Sequence, residues 1–272
     1  MICSESQRIW CTGIIDADAV ALVFARDRDK PQGSGEIHFN LALSTGVSPV
    51  GPIFKGASVR VIKDEESKCS TWLTAKREGS ADKLDGDSIL QLLAESDIDV
   101  LNRDLYLGVT KRRKCSIGTE RGKIVSSLAF HEVLGGDEHY LYVRGSGLKT
   151  GDTFQFFSPD PQIGLMSRNA VFDNLRALNE KNGDKNIVFG GLVFTCYGRG
   201  ESFLGQPNID GSAFLENFPG VPLSGVFCCG EIGRSSSSFA EQDSVVQRST
   251  KCFNHIYSCV YLVIMYTPAR SH

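Results

Sequence analysis

A chain of 272 residues, 41% hydrophobic and 22% charged, is long enough to bury a substantial core in one or two domains and has an ordinary globular composition. A net charge of −3 supplies no global basic field, which excludes nucleic acid or an anionic membrane as a partner held by overall charge. Nine scattered cysteines, odd in number, come without an Asn-x-Ser/Thr site or a charged-then-apolar N-terminus, so reduced thiols in a cytoplasmic or nuclear compartment are expected.

The first sixty residues read as strands. Val20–Ala25 is an apolar run, Arg26–Gly35 a charged hairpin loop, and Ile37, Phe39, Leu41 and Leu43 alternate with His38, Asn40 and Ala42 as in a half-buried strand. Gly46–Gly56 is punctuated by glycine and proline and predicts a connection before a strand at Ser58–Lys63. A chain that opens in strand register reads as a fragment of something longer. A polar stretch, Arg77–Gly86, leads to a helix capped by Asp87, with Ile89, Leu90, Leu92 and Leu93 as its core stripe.

Strands follow at Leu105–Thr110, Lys123–Phe130, Tyr140–Arg144 and Thr153–Phe157. The basic cluster Lys111–Lys114 reads as a solvated turn after the first of these. Gly145–Asp152 reads as a hairpin-type loop, since its glycines fit neither the dinucleotide nor the P-loop spacing. The longest helix is signposted by Asp160 as cap, Pro161 at the first position and Gly183 past the end. Ile163, Met166, Ala170, Val171, Leu175 and Leu178 form its predicted core face. Strand Ile187–Cys196, a short helix near Asn208–Phe218, strand Val221–Cys229, an exposed Ser235–Ser238 loop and a strand near Tyr257–Tyr266 complete the chain. Strands cluster more than they alternate with helices, which predicts an α+β fold with a mixed or largely antiparallel sheet and a few packed helices. The run Ile256–Met265 is too short for a membrane span.

Chemistry concentrates at two strand ends. Ile187–Cys196 runs into Tyr197-Gly198-Arg199-Gly200, and Val221–Cys229 runs into Gly230-Glu231-Ile232-Gly233. Glycine lets backbone approach a ligand, arginine binds a carboxylate through two parallel hydrogen bonds, and Glu231 offers the opposite charge. Two readings stay open: Arg199 and Glu231 pair with each other, or they hold an amino-acid-like ligand at its two ends. Cys196 as a nucleophile, with His131, His139 or His255 as base, lacks a recognisable Cys/His context and is set aside. Zinc at Cys252, His255 and Cys259 with Cys228 and Cys229 is set aside too, because adjacent strand residues face opposite ways. Neither metal nor cofactor is expected. The acids at Asp64–Glu66 and Asp82–Asp87 read as solvated loops.

Val193–Gly200, Asn208-Ile209-Asp210 with Phe214, Phe218–Phe227 and Gly230–Gly233 together resemble the C-terminal FIST domain. Val20–Arg26 with Ile37–Gly46 resembles the end of the N-terminal FIST domain. The resemblance implies a division into 1–62 (the end of an N-type domain), 63–267 (a C-type domain) and a tail at 268–272. It also implies a binding module without catalytic residues: in F-box relatives, the face that captures a protein for ubiquitination by SCF-type ligases; in bacterial relatives, a sensor of small ligands. Cys196, Tyr197, Gly198, Arg199, Gly200, Gly230 and Glu231 are the positions it marks. Nothing in residues 1–60 resembles an F-box, so contact with a Skp-type adaptor and cullin would run through an F-box outside these residues.

Overall fold

The computed structural model describes residues 29, 31, 34–63, 69–96, 102–115, 123–182, 186–234 and 252–269. They form an antiparallel barrel, a four-stranded mixed sheet covered by helices, and a two-stranded ribbon, an α+β architecture.

The barrel is made by β2 (Val47–Lys63), β3 (Cys69–Arg77), β5 (Tyr106–Cys115), β6 (Lys123–Gly136), β7 (Leu141–Arg144) and β8 (Thr153–Pro159), with the short β4 (Lys83–Leu84) added to β3. Closure depends on β2. Its first half pairs with β8 and its second half with β3, so the sheet returns on itself. The interior follows the two-residue strand period: Leu73 and Ala75, Leu107 and Val109, Leu141 and Val143, and Phe154 and Phe156 all point inward and are buried. Phe54 packs between the last two at ring distances of 5.8 and 5.4 Å. Helix α1 (Gly86–Ser96) adds Ile89 and Leu93 to this core.

The second sheet runs β1 (Glu36–Ser44), β13 (Cys259–Thr267), β9 (Ile187–Cys196), β10 (Leu223–Cys228). All neighbours are antiparallel except β9 and β10, which are parallel. One face carries Ala42, Cys259, Tyr261, Val263 and Met265, and packs on Val171 and Leu175 of α2 (Pro161–Asn182) and Ala213 and Phe214 of α4 (Ile209–Leu215). Polar groups register the two helices. Arg168 donates to the Ile209 carbonyl at 3.0 Å and to Ser212 at 2.6 Å, and Asn217 donates to the Phe172 and Ala213 carbonyls. The ribbon pairs β11 (Glu231–Arg234) with β12 (Cys252–His255).

Several expectations change. Gly46–Gly56 is not a connection: from Val47 onward it is the first half of β2, where Gly51 and Pro52 sit at a bulge between Val50 and Ile53. The basic run Lys111–Lys114 is strand, continuing β5 to Cys115. Gly145–Asp152 is not a hairpin turn, because β7 pairs with β3 and β6 whereas β8 pairs with β2 and β5. Asp85, not Asp87, caps α1, accepting from the Ser88 N–H at 2.8 Å, which holds its carboxyl below the usual range. Asp160 caps α2 as expected, accepting from Gln162 and Ile163 at 3.0 and 3.1 Å. Within α2, however, Met166 is 67% exposed, and buried Gly164 takes the position toward Phe203 and Leu204. Strand β3, β11 and β12 had no counterpart in the sequence reading. The Val20–Ala25 strand, most of the Arg26–Gly35 loop, Gly183 and the Ser235–Ser238 loop lie outside the described residues.

Candidate functional site

The two strand ends are neighbours. Because β9 and β10 are parallel, with Cys196 and Cys228 as their last register partners, both chains leave the sheet at the same end, as ligand-binding strand ends do in open sheets. After Cys196 the chain makes one 3-10 turn, Tyr197–Arg199, and enters α3 (Glu201–Leu204). Gly198 is required there, since a Cβ would lie 2.7 Å from the Tyr257 ring. After Cys228, Gly230 at φ +116° turns the chain into β11, a conformation that only glycine adopts without strain.

Arg199 is buried, and its guanidinium is spent inside the protein. Nε and Nη2 donate to the two Asp210 carboxylate oxygens at 2.9 and 2.7 Å. Nη2 also donates to Ser44 Oγ at 2.9 Å, and Nη1 to the Tyr257 carbonyl at 3.0 Å. Burial opposes the charge, but the hydrogen bonds and charge of Asp210 outweigh it and hold the group above its ordinary range. One side chain thus ties β1, α4 and the segment before β13 to the turn after β9. The Arg199–Glu231 pair, one of the two readings left open, gives way to a pair with Asp210, because the first turn of α4 brings that carboxylate under the turn.

Glu231 is engaged elsewhere. It is 3% exposed; Oε2 accepts from Ser258 Oγ at 2.6 Å, while Oε1 is buried without a hydrogen-bond partner. Burial pushes the carboxyl up to about 7, against the partial opposition of the Ser258 bond. His255 faces it across the ribbon as its register partner. The Cys196 thiol is also raised, by burial and then by the charge of Glu231. A thiol pushed upward is a poor resting nucleophile.

Tyr257 links this end of the sheet to the barrel. Its hydroxyl donates to Asp104 at 2.6 Å, its ring meets Tyr106 at 6.2 Å and Phe203 at 5.1 Å, and its backbone is left-handed at φ +48°. Above the buried base, Tyr197 is 75% exposed and Phe227 66% exposed. Cys196, Arg199 and Glu231 are therefore buried and Gly198 half-buried, whereas Tyr197 is presented on the surface. Two surface depressions, of about 440 and 360 Å³, are lined by Thr74, Asp85 and Tyr140 and by His38, Asn40 and Met265, and neither includes these residues. Sequence reasoning missed Ser44, Tyr257 and Ser258. Asp210 stood within a motif segment, though without a partner.

Residues 138–234, from the turn before β7 to the end of β11, match the family model of the FIST C domain. An F-box/LRR-repeat protein of Arabidopsis thaliana is 46% identical over 253 residues, covering 90% of this chain and 46% of that protein. An uncharacterized protein of Mycobacterium tuberculosis is 48% identical over 142 residues, covering 52% of this chain and 34% of that protein. An uncharacterized protein of Mycobacterium bovis is 48% identical over 44 residues, 16% of this chain and 11% of its own length. The chain thus spans less than half the length of these curated relatives. Among the described residues no helix is long and apolar enough to cross a membrane.

Proposed function

We propose that this chain is the substrate-recognition module of an F-box-type ubiquitin-ligase adaptor. The FIST C match and the identity to an F-box/LRR-repeat protein support that setting. The observation that carries the reading is the exposure of Tyr197 on a turn whose next residue but one, Arg199, is locked into the interior. A rigid platform carrying exposed aromatic side chains, here Tyr197 and Phe227, is what a protein-binding surface requires, since aromatic anchors supply much of the energy of an interface. The chain would add no chemistry; it would hold a target while a Skp-type adaptor and cullin, recruited by an F-box in a longer form, supply the rest. The test uses a form that carries an F-box. Its captured targets should become long-lived when Tyr197 and Phe227 are both changed to alanine, with adaptor binding unaltered. A form that recruits no Skp-type adaptor, or whose targets turn over equally with both aromatics removed, overturns the reading.

A second reading, sensing of a small amino-acid-like ligand, draws support from the unpartnered buried oxygen of Glu231. A thermal-shift series with amino acids should then raise Tm with concentration in the parent chain and leave Glu231→Gln unmoved. A flat parent response removes this reading.

A further inference from the structure

The ends of β9 and β10 place two thiols in direct register. Cys196 and Cys228 are Cα partners across the parallel pair, so their side chains leave the same face of the sheet about one strand spacing apart, roughly 4.8 Å. Disulfides join Cα atoms separated by about 4.4 to 6.8 Å. Both thiols are free and buried. Among the described cysteines, Cys229 and Cys259 are turned away. Cys229 follows Cys228 and is exposed, and Cys259 is the register partner of Thr195, on the opposite face, with Sγ 3.1 Å from Thr195 Oγ1. Glu231 lies where its charge acts on both Cys196 and Cys228. Its carboxyl lies beside the Cys196 thiol, where it can take the proton that this thiol must lose before its sulfur attacks.

We propose that Cys196 and Cys228 are a reversible redox pair, a modification site at which a peroxide joins the two parallel strand ends by a disulfide. One sulfur attacks a hydrogen peroxide oxygen, breaking the O–O bond, and becomes a sulfenic acid with release of one water. The second sulfur displaces the hydroxyl from the first, forming the S–S bond and a second water. Two thiols lose two electrons and two protons in total, and the peroxide takes both. Glu231 accepts the Cys196 proton and passes it to a departing hydroxide, and the Cys228 proton leaves with the other hydroxide as water. A dithiol reductant reverses the change. The bond would fix the backbone next to Tyr197 and leave Arg199 in place.

The experiment treats the full chain with hydrogen peroxide, blocks remaining thiols with an alkylating reagent, and maps the unreduced peptides. The expected product links the peptide of Cys196 to that of Cys228, lighter by two hydrogens, and returns to free thiols with dithiothreitol. The link persists in Cys229→Ser, is lost in Cys228→Ser, and forms more slowly in Glu231→Gln. Because Cys229→Ser alters only an exposed side chain, that variant keeps the test decisive should a core variant fold poorly. A link that survives in Cys228→Ser, or recovery of both Cys196 and Cys228 as alkylated thiols once Cys229 has been oxidised, overturns the proposal.

Discussion

Arg199 and Asp210 form a buried two-point ion pair, at 2.9 and 2.7 Å, between the turn that ends β9 and the first turn of α4. Removing either partner leaves the other charge buried and alone. Arg199→Ala or Asp210→Ala should therefore cost about 3–5 kcal/mol, read from urea unfolding. Arg199→Lys should rescue little of it, because an ammonium cannot span both carboxylate oxygens while also reaching Ser44 and the Tyr257 carbonyl. A loss under 1 kcal/mol for Asp210→Ala would contradict this account.

Glu231 should give the fold a pH dependence of unusual sign. Its carboxyl, raised by burial to about 7 from 4.5, stays protonated in the fold over a range where the unfolded chain has already released the proton. Between these two values the unfolded state binds fewer protons, so stability falls as pH rises from about 4.5 to 7 and then levels. The loss amounts to about 3 kcal/mol. Glu231→Gln should remove this slope and be the more stable form at pH 8 than the parent. A parallel pair of stability curves for parent and variant would refute the assignment.

Gly225 lies where β10 touches β9. A Cβ there would sit 2.1 Å from the Val193 carbonyl oxygen, a backbone atom that cannot swing aside. Gly225→Ala should therefore part the two parallel strands and cost at least 1–3 kcal/mol, as overpacking does. Faster amide exchange in β10 than in β1 would localise the damage.

Tyr197→Ala should have the opposite profile. The side chain is mostly in solvent, so stability should change by no more than about 0.5 kcal/mol. A Tm shift as large as that of Gly225→Ala would mean that the ring packs on the chain itself, which would leave it unable to serve as an anchor.

How much of this could be read beforehand depended on whether the signal was local. The strand β1 was visible because Ile37, Phe39, Leu41 and Leu43 alternate, and α2 because Asp160 and Pro161 mark its start. Strand β3 was not visible: its inward positions are filled by Thr71, Leu73 and Ala75, and only Leu73 is large and apolar. The first half of β2 was hidden for another reason, since a bulge at Gly51 and Pro52 imitates a loop in composition. At the site, the apolar runs marked the two strands, but that they are neighbours and run parallel is set by the sheet and not by the runs themselves. The partner of Arg199 did not follow. Charge type alone cannot separate Asp210 from Glu231; only the packing of α4 against β9 and β13 does. Burial divided the marked residues in the same way, sinking Arg199 and Glu231 and leaving Tyr197 outside.

Strand β13 sits between β1 and β9, although in sequence it follows every other described strand. During synthesis, β1 must wait without its neighbour until more than two hundred further residues have been made, since Glu36 pairs with Thr267. The carbonyl of Tyr257 that receives Arg199 arrives equally late. The sheet is thus completed by its last piece, as a keystone closes an arch. A ribosome that stops before Cys259 would release a chain with β1 and β9 both open along one edge, a ready substrate for chaperones or proteases.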